Sequence, residues 1–230
     1  MVPTKVRLYG DCLILLERCN WSCKYCYDDR KKFIIDEPRI LKELLAMKHL
    51  ISTQALSGGE PGLLSEWFWD QLFSQIDTAA IYTNGTFVLK GYADKYAKQI
   101  REVMIHCVEE LDQEINPKII DYTKRAKQCI FSIVIHNDNV HLLDNFLKKY
   151  KQFDFRLFFA DDYHVADMHI PRSLALTKES AEKVLKVLNQ YTTYAPYSNQ
   201  LIKGIISGNY FEMNKCKVDD EELMKSRLDG

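Results

Sequence analysis

Leu13-Ile14-Leu15-Leu16-Glu17-Arg18-Cys19-Asn20-Trp21-Ser22-Cys23-Lys24-Tyr25-Cys26-Tyr27 joins a short apolar run to a loop carrying three thiols. Four consecutive aliphatic residues are too few for a helix and read as a strand buried on both faces, as strands of parallel sheets are. Cys19, Cys23 and Cys26 follow at C-x3-C-x2-C spacing, so a loop at the strand's carboxyl end can bring all three to one small metal centre. A structural zinc site closes with four protein ligands, whereas three thiolates on a four-iron cluster leave one iron for a ligand that is not protein. From these residues alone two further readings stand: a zinc site completed by Cys12 or Cys216, and ordinary core thiols.

Working outward, apolar runs alternate with amphipathic stretches. Strands are predicted at Leu13 to Leu16, Thr53 to Ser57, Ala79 to Thr83, Glu102 to Val108, Gln128 to His136 and Phe153 to Ala160. Helices are predicted between them, with Asp36, Ser65, Asn139 and Thr177 as N-caps and Asn116-Pro117 opening another. Leu64 and Trp69 are placed to form a hydrophobic staple around Ser65. Six strands alternating with helices give βαβ units and a parallel α/β sheet, either flat and doubly wound or curled into a barrel.

Two more motifs follow the cysteines in order. Ser57-Gly58-Gly59-Glu60-Pro61 ends the second predicted strand, and Tyr82-Thr83-Asn84-Gly85-Thr86 ends the third. With the C-x3-C-x2-C loop and Tyr25 before its last cysteine, these motifs resemble the radical S-adenosylmethionine (radical SAM) enzymes. The resemblance implies a partial (β/α)6 barrel, an open TIM-like fold with parallel strands. It also implies one [4Fe-4S] cluster on Cys19, Cys23 and Cys26 whose fourth iron chelates SAM. One electron then cleaves SAM to methionine and a 5′-deoxyadenosyl radical that takes a hydrogen atom from the substrate. An electron donor such as flavodoxin or ferredoxin is the implied partner.

Ligands of parallel α/β folds gather at the carboxyl ends of the strands, where every one of these motifs falls. Gly58 and Gly59 let backbone approach a ligand, and Glu60 offers a carboxylate to an ammonium group. By resemblance this segment holds the amino group of SAM, and Tyr25 lies near its adenine. Asn84 is placed to meet SAM or substrate, although Asn-Gly is equally a good turn. His106 and Ser132, on the fourth and fifth strands, occupy positions where family members place polar SAM contacts. Ile105-His106-Cys107 departs from the Ser-Leu-Asp triplet often found there, and a histidine in an apolar strand also suits a core. Arg156 on the sixth strand, and Asp161 opening a segment rich in Asp and His that runs to His169, are candidate substrate contacts. A solvated loop is the other reading of that segment. Cys107 and Cys129 lie in apolar runs and read as buried side chains.

The chain has 230 residues, 47% of them hydrophobic, and a formal charge of −1, which gives no strong nucleic-acid signal. No run of about 18 apolar residues marks a membrane span. The thiol cluster and the odd cysteine count favour a reducing compartment, so the expected location is cytoplasmic. Residues 1–190 are expected to form the radical SAM core, and 191–230 an extension packed on it. Only Cys216 follows the sixth strand, which argues against a second cluster. The expected substrate is a peptide, a protein or a nucleotide-like molecule. The alternatives are an activase for glycyl-radical enzymes and a non-enzymatic zinc or iron-sulfur binding module.

Overall fold

Each predicted strand is present, with ends shifted by at most two residues. The structure is a computed structural model and describes residues 2–3, 5–26, 33–160, 174–191, 203 and 205–207. Its strands in chain order are β1 (Val2–Pro3), β2 (Arg7–Tyr9), β3 (Cys12–Leu16), β4 (Phe33–Ile34), β5 (Ala55–Gly58), β6 (Ala79–Thr83), β7 (Ile100–His106), β8 (Cys129–Ile135) and β9 (Phe155–Phe159). Seven of them form one open sheet in the order β2-β3-β5-β6-β7-β8-β9, parallel from β3 through β8. The α/β class and the open, mostly parallel sheet are therefore as the sequence implies. β1 pairs with β4 in a separate two-stranded sheet.

The edge strand β2 is an addition. It runs antiparallel to β3, with Leu8 opposite Leu13, on a short segment whose residues are exposed to half-buried. No apolar alternation announces it, because Leu8 alone in that segment is aliphatic.

The helices follow their capping signals. α1 (Glu37–Ala46) starts where the Asp36 carboxylate accepts the Arg39 N–H, and turns Ile40, Leu41 and Leu44 inward. A break at Met47 separates it from α2 (Lys48–Ile51). α3 (Glu66–Phe73) is capped by Ser65, whose Oγ accepts the Phe68 N–H, and both staple residues, Leu64 and Trp69, are fully buried. α4 (Thr86–Leu89) and α5 (Tyr92–Lys95) are single turns, and α6 (Pro117–Thr123) starts from an Asn116 cap. α7 (Leu143–Lys149) and α8 (Lys178–Leu188) follow, the latter capped by Thr177. Asn139 does not cap a helix. Its Oδ1 accepts the His136 N–H and its Nδ2 donates to the Val134 carbonyl, so it closes the end of β8 instead.

The chain forms two compact units. The first is Met1–Cys23, Asp28–Glu109 and Gln113–Ser132, and it carries the sheet from β2 to the first half of β8. Its core is aromatic: Trp69 stands edge-on to Phe68 and Phe87, with ring centroids 5.2 and 4.9 Å apart, and stacks on Phe73. The second unit is Lys24–Tyr27, Glu110–Asp112 and Ile133–Gly230, and Phe146 packs there against Phe155 and Tyr150. Among the described residues no helix is long and apolar enough to cross a membrane.

Candidate active site

In the first unit the end of β5 is laid directly on the chain leaving β3. The Gly59 N–H donates to the Leu16 carbonyl at 2.6 Å and the Glu60 N–H to the Arg18 carbonyl at 2.9 Å, extending the ladder past the strands to the residue before Cys19. This contact explains the glycine pair. A Cβ on Gly58, at φ +130°, would lie 2.3 Å from the Leu16 oxygen, and one on Gly59 would lie 2.1 Å from the Arg18 oxygen. The close approach that these glycines permit is thus to the root of the cysteine loop.

Glu60 is fully buried, and its carboxylate is surrounded by donors of its own chain. Oε1 accepts the Gly62 N–H at 2.6 Å and the Thr83 hydroxyl at 2.7 Å, and Oε2 accepts the Asn84 N–H at 2.6 Å. The Phe87 N–H donates to the Thr83 hydroxyl oxygen at 3.4 Å. Burial pushes the carboxyl's pKa up, and the donors around it pull it down without cancelling that push. Glu60 therefore ties the end of β5 to the end of β6.

What it ties down is Asn84. Its Nδ2 donates to Asn20 Oδ1 at 2.8 Å and to the Cys19 sulfur at 3.5 Å. Asn20 Nδ2 donates to Thr86 Oγ1 at 3.0 Å, and the Thr86 hydroxyl donates back to Asn84 Oδ1 at 2.7 Å, closing a ring of three hydrogen bonds. Asn84 Oδ1 also accepts the Thr86 N–H at 3.1 Å. Turning the amide over would set N–H against N–H at Thr86, so its orientation is fixed. The Cys19 sulfur receives a second donor, the Trp21 N–H at 3.4 Å.

Further along the sheet, His106 ends β7 half-buried, its ring 5.8 Å from that of Trp21. Ser132 is its register partner on β8 and is buried, and the Ser132 carbonyl accepts the Cys107 N–H at 3.2 Å. Cys107 is a core thiol, whereas Cys129, expected to be buried, is half-buried at the start of β8; burial pushes the pKa of both up, in Cys129 to about 12. The first unit thus brings Cys19, Cys23, Gly58, Gly59, Glu60, Asn84, His106 and Ser132 to the carboxyl half of one sheet.

The second unit holds Cys26, the buried Tyr25 and a charged group that the sequence did not announce. His136, next after β8 and fully buried, meets Glu110 Oε2 through Nε2 at 3.0 Å, and its ring lies 5.7 Å from that of Tyr25. Lys24 reaches Glu110 at 3.2 Å and Asp138 at 3.5 Å. Burial lowers the His136 pKa, outweighing the Glu110 carboxylate. Among the described residues His136 Nδ1 has no hydrogen-bond partner. The available signal was a histidine closing an otherwise apolar strand. Arg156 shares the half-exposed face of β9 with Phe158 and lies over its ring at 5.2 Å. Asp161, the rest of the segment to His169 and Cys216 lie outside the described residues.

No protein-family model matches the chain, and no curated protein matches it. Solved structures do. Native anSMEcpe with bound AdoMet and Cp18Cys peptide aligns with a TM-score of 0.56 at 18% identity, over 84% of this chain and 64% of that one. A hexahistidine-tagged form of anSMEcpe with bound AdoMet gives the same figures. The chain has the fold of anSMEcpe. It spans about 64% of the length of the anSMEcpe chains it matches.

The donor set around the cysteine loop suits an iron-sulfur cluster. Cys19 and Cys23 in the first unit and Cys26 in the second are half-buried thiols outside any disulfide, and the Cys19 sulfur accepts two N–H groups. Among the described residues no three Cys, His, Asp or Glu side chains stand as a ready metal site.

Proposed function

We propose that the chain is a radical SAM enzyme acting on a peptide or protein, with a nucleotide-like molecule as the other substrate class. Bound to Cys19, Cys23 and Cys26, a [4Fe-4S] cluster would supply the electron that cleaves SAM to methionine and a 5′-deoxyadenosyl radical, which abstracts hydrogen from the substrate. One observation carries this reading. The cysteine loop leaves the carboxyl end of β3 and is held there, through Leu16, Arg18 and Cys19, by the Gly59-Glu60 backbone and the Asn84 amide. The anSMEcpe fold, seen with AdoMet and a peptide, supports SAM and favours a peptide.

In this reading the backbone of Gly58 to Glu60, Tyr25, His106 and Ser132 hold SAM. Glu60 and Asn84, whose side chains are engaged within the chain, keep that backbone and Cys19 in position. Arg156 and Asp161 are the proposed substrate contacts. Flavodoxin or ferredoxin is the proposed electron donor. A reducing cytoplasm is the proposed location, in keeping with six described cysteines that form no disulfide with one another.

Anaerobic reconstitution tests the proposal. About four iron and four sulfide per chain, with 5′-deoxyadenosine released on reduction in the presence of SAM, are expected from the chemistry of a single such cluster. Stoichiometric zinc with no SAM turnover would assign the chain to metal-binding modules instead.

A further inference from the structure

We propose that Asn84, held by Asn20, Thr86 and Glu60, sets the reduction potential of the cluster by aiming an amide N–H at the Cys19 sulfur. This inference rests on the function proposed above. A hydrogen bond to a cluster thiolate withdraws charge from it and stabilises the reduced, more negative state, so it raises the potential. Three features distinguish the contact from a turn residue that happens to lie near a cysteine. All four hydrogen-bonding positions of the Asn84 side chain are occupied, so the N–H that faces sulfur cannot be exchanged for another by rotation. The three-membered ring runs in one sense, Asn84 to Asn20 to Thr86 and back, and such chains polarise one another in the direction that strengthens donation. The Asn84 backbone is fixed in turn by the buried Glu60 carboxylate at 2.6 Å. Asn84 does not touch the reacting atoms in this account. It is a positioning residue for the electronics of Cys19.

The test is an EPR-monitored redox titration of reconstituted wild type, Asn84→Asp and Thr86→Val, with iron and sulfide counted in each. Asn84→Asp keeps the shape but replaces the donor by an oxygen, and should make reduction at a given poise about tenfold less favourable, 59 mV for one electron. Thr86→Val opens the ring without touching Cys19 and should shift the potential the same way by less. A merely structural Asn84 would lower cluster occupancy and leave the potential of the loaded fraction unmoved, which would overturn the inference. If Asn84→Asp fails to load, an unmoved potential in Thr86→Val overturns it equally. A wild type that cleaves SAM, with both variants at its potential, removes this inference and leaves the proposed function standing. A wild type that assembles no cluster removes both.

Discussion

The Glu60 carboxylate accepts the backbone N–H of Asn84 at 2.6 Å, from a fully buried position 24 residues earlier in the chain. A glutamate that sequence reading assigns to a ligand's ammonium group is here the knot between two strand ends. Substitution by Gln tests the knot. Both oxygens face N–H donors, so the new amide must point its own N–H at Gly62 or at Asn84. Glu60→Gln should cost about 2–4 kcal/mol, in the range of breaking a buried hydrogen-bonded network. Denaturant unfolding of the metal-free protein measures it, and a loss within the usual surface range of about 0.5 kcal/mol would refute the clamp.

Gly59→Ala should act on the cysteine loop. Its methyl would sit 2.1 Å from the Arg18 carbonyl oxygen, a backbone atom that can yield only by moving the residue before Cys19. The expected outcome is a fall of at least about fivefold in reconstituted iron, beside a stability loss of about 3 kcal/mol typical of overpacking. Full iron content in this variant would show that the loop does not depend on the β5 end.

Much of this arrangement could be read from sequence, and the rest fails for physical reasons. Asp36, Ser65, Asn116 and Thr177 cap as predicted because a cap is a local event, decided by a side chain and an N–H two or three residues on. Asn139 offered the same local signal, but its amide found better partners behind it in the end of β8. The glycine pair was legible as a place of close approach, though not what approaches. The Asn20–Thr86 hydrogen bond joins residues 66 apart, and no periodicity or spacing encodes such a pairing. The Lys24, Glu110 and His136 group is of the same kind.

His136 gives a pH dependence whose sign is fixed. Burial holds its pKa below the usual 6.5, so between the two values the unfolded chain binds a proton that the folded chain does not. Stability should therefore fall as pH drops through 6.5, at most by about 1.4 kcal/mol per unit for one proton. Urea titrations from pH 8 to pH 5 should show this slope in wild type and a shallower one in His136→Gln. A wild type gaining stability relative to that variant on acidification would mean that Glu110 holds an imidazolium.

The thiols should separate into two classes. Cys107 and Cys129 lie in strands, have pKa values raised by burial and stay protonated at neutral pH, whereas Cys19, Cys23 and Cys26 lie half-buried on an irregular loop. Mass-mapped alkylation of the native metal-free chain should label the loop cysteines first. Cys107→Ala should retain full iron content, while Ala at any of the three loop positions should lose most of it. Loss of iron in Cys107→Ala would move the ligand set.

Three thiolates leave one iron to be taken by SAM, and electron-nuclear double resonance on the reduced, reconstituted protein detects that bond itself. With SAM labelled by 15N in its amino group and 17O in its carboxylate, hyperfine coupling from both labels is expected. Absence of either coupling in a protein that binds SAM, or a metal centre ligated wholly by protein, would contradict it.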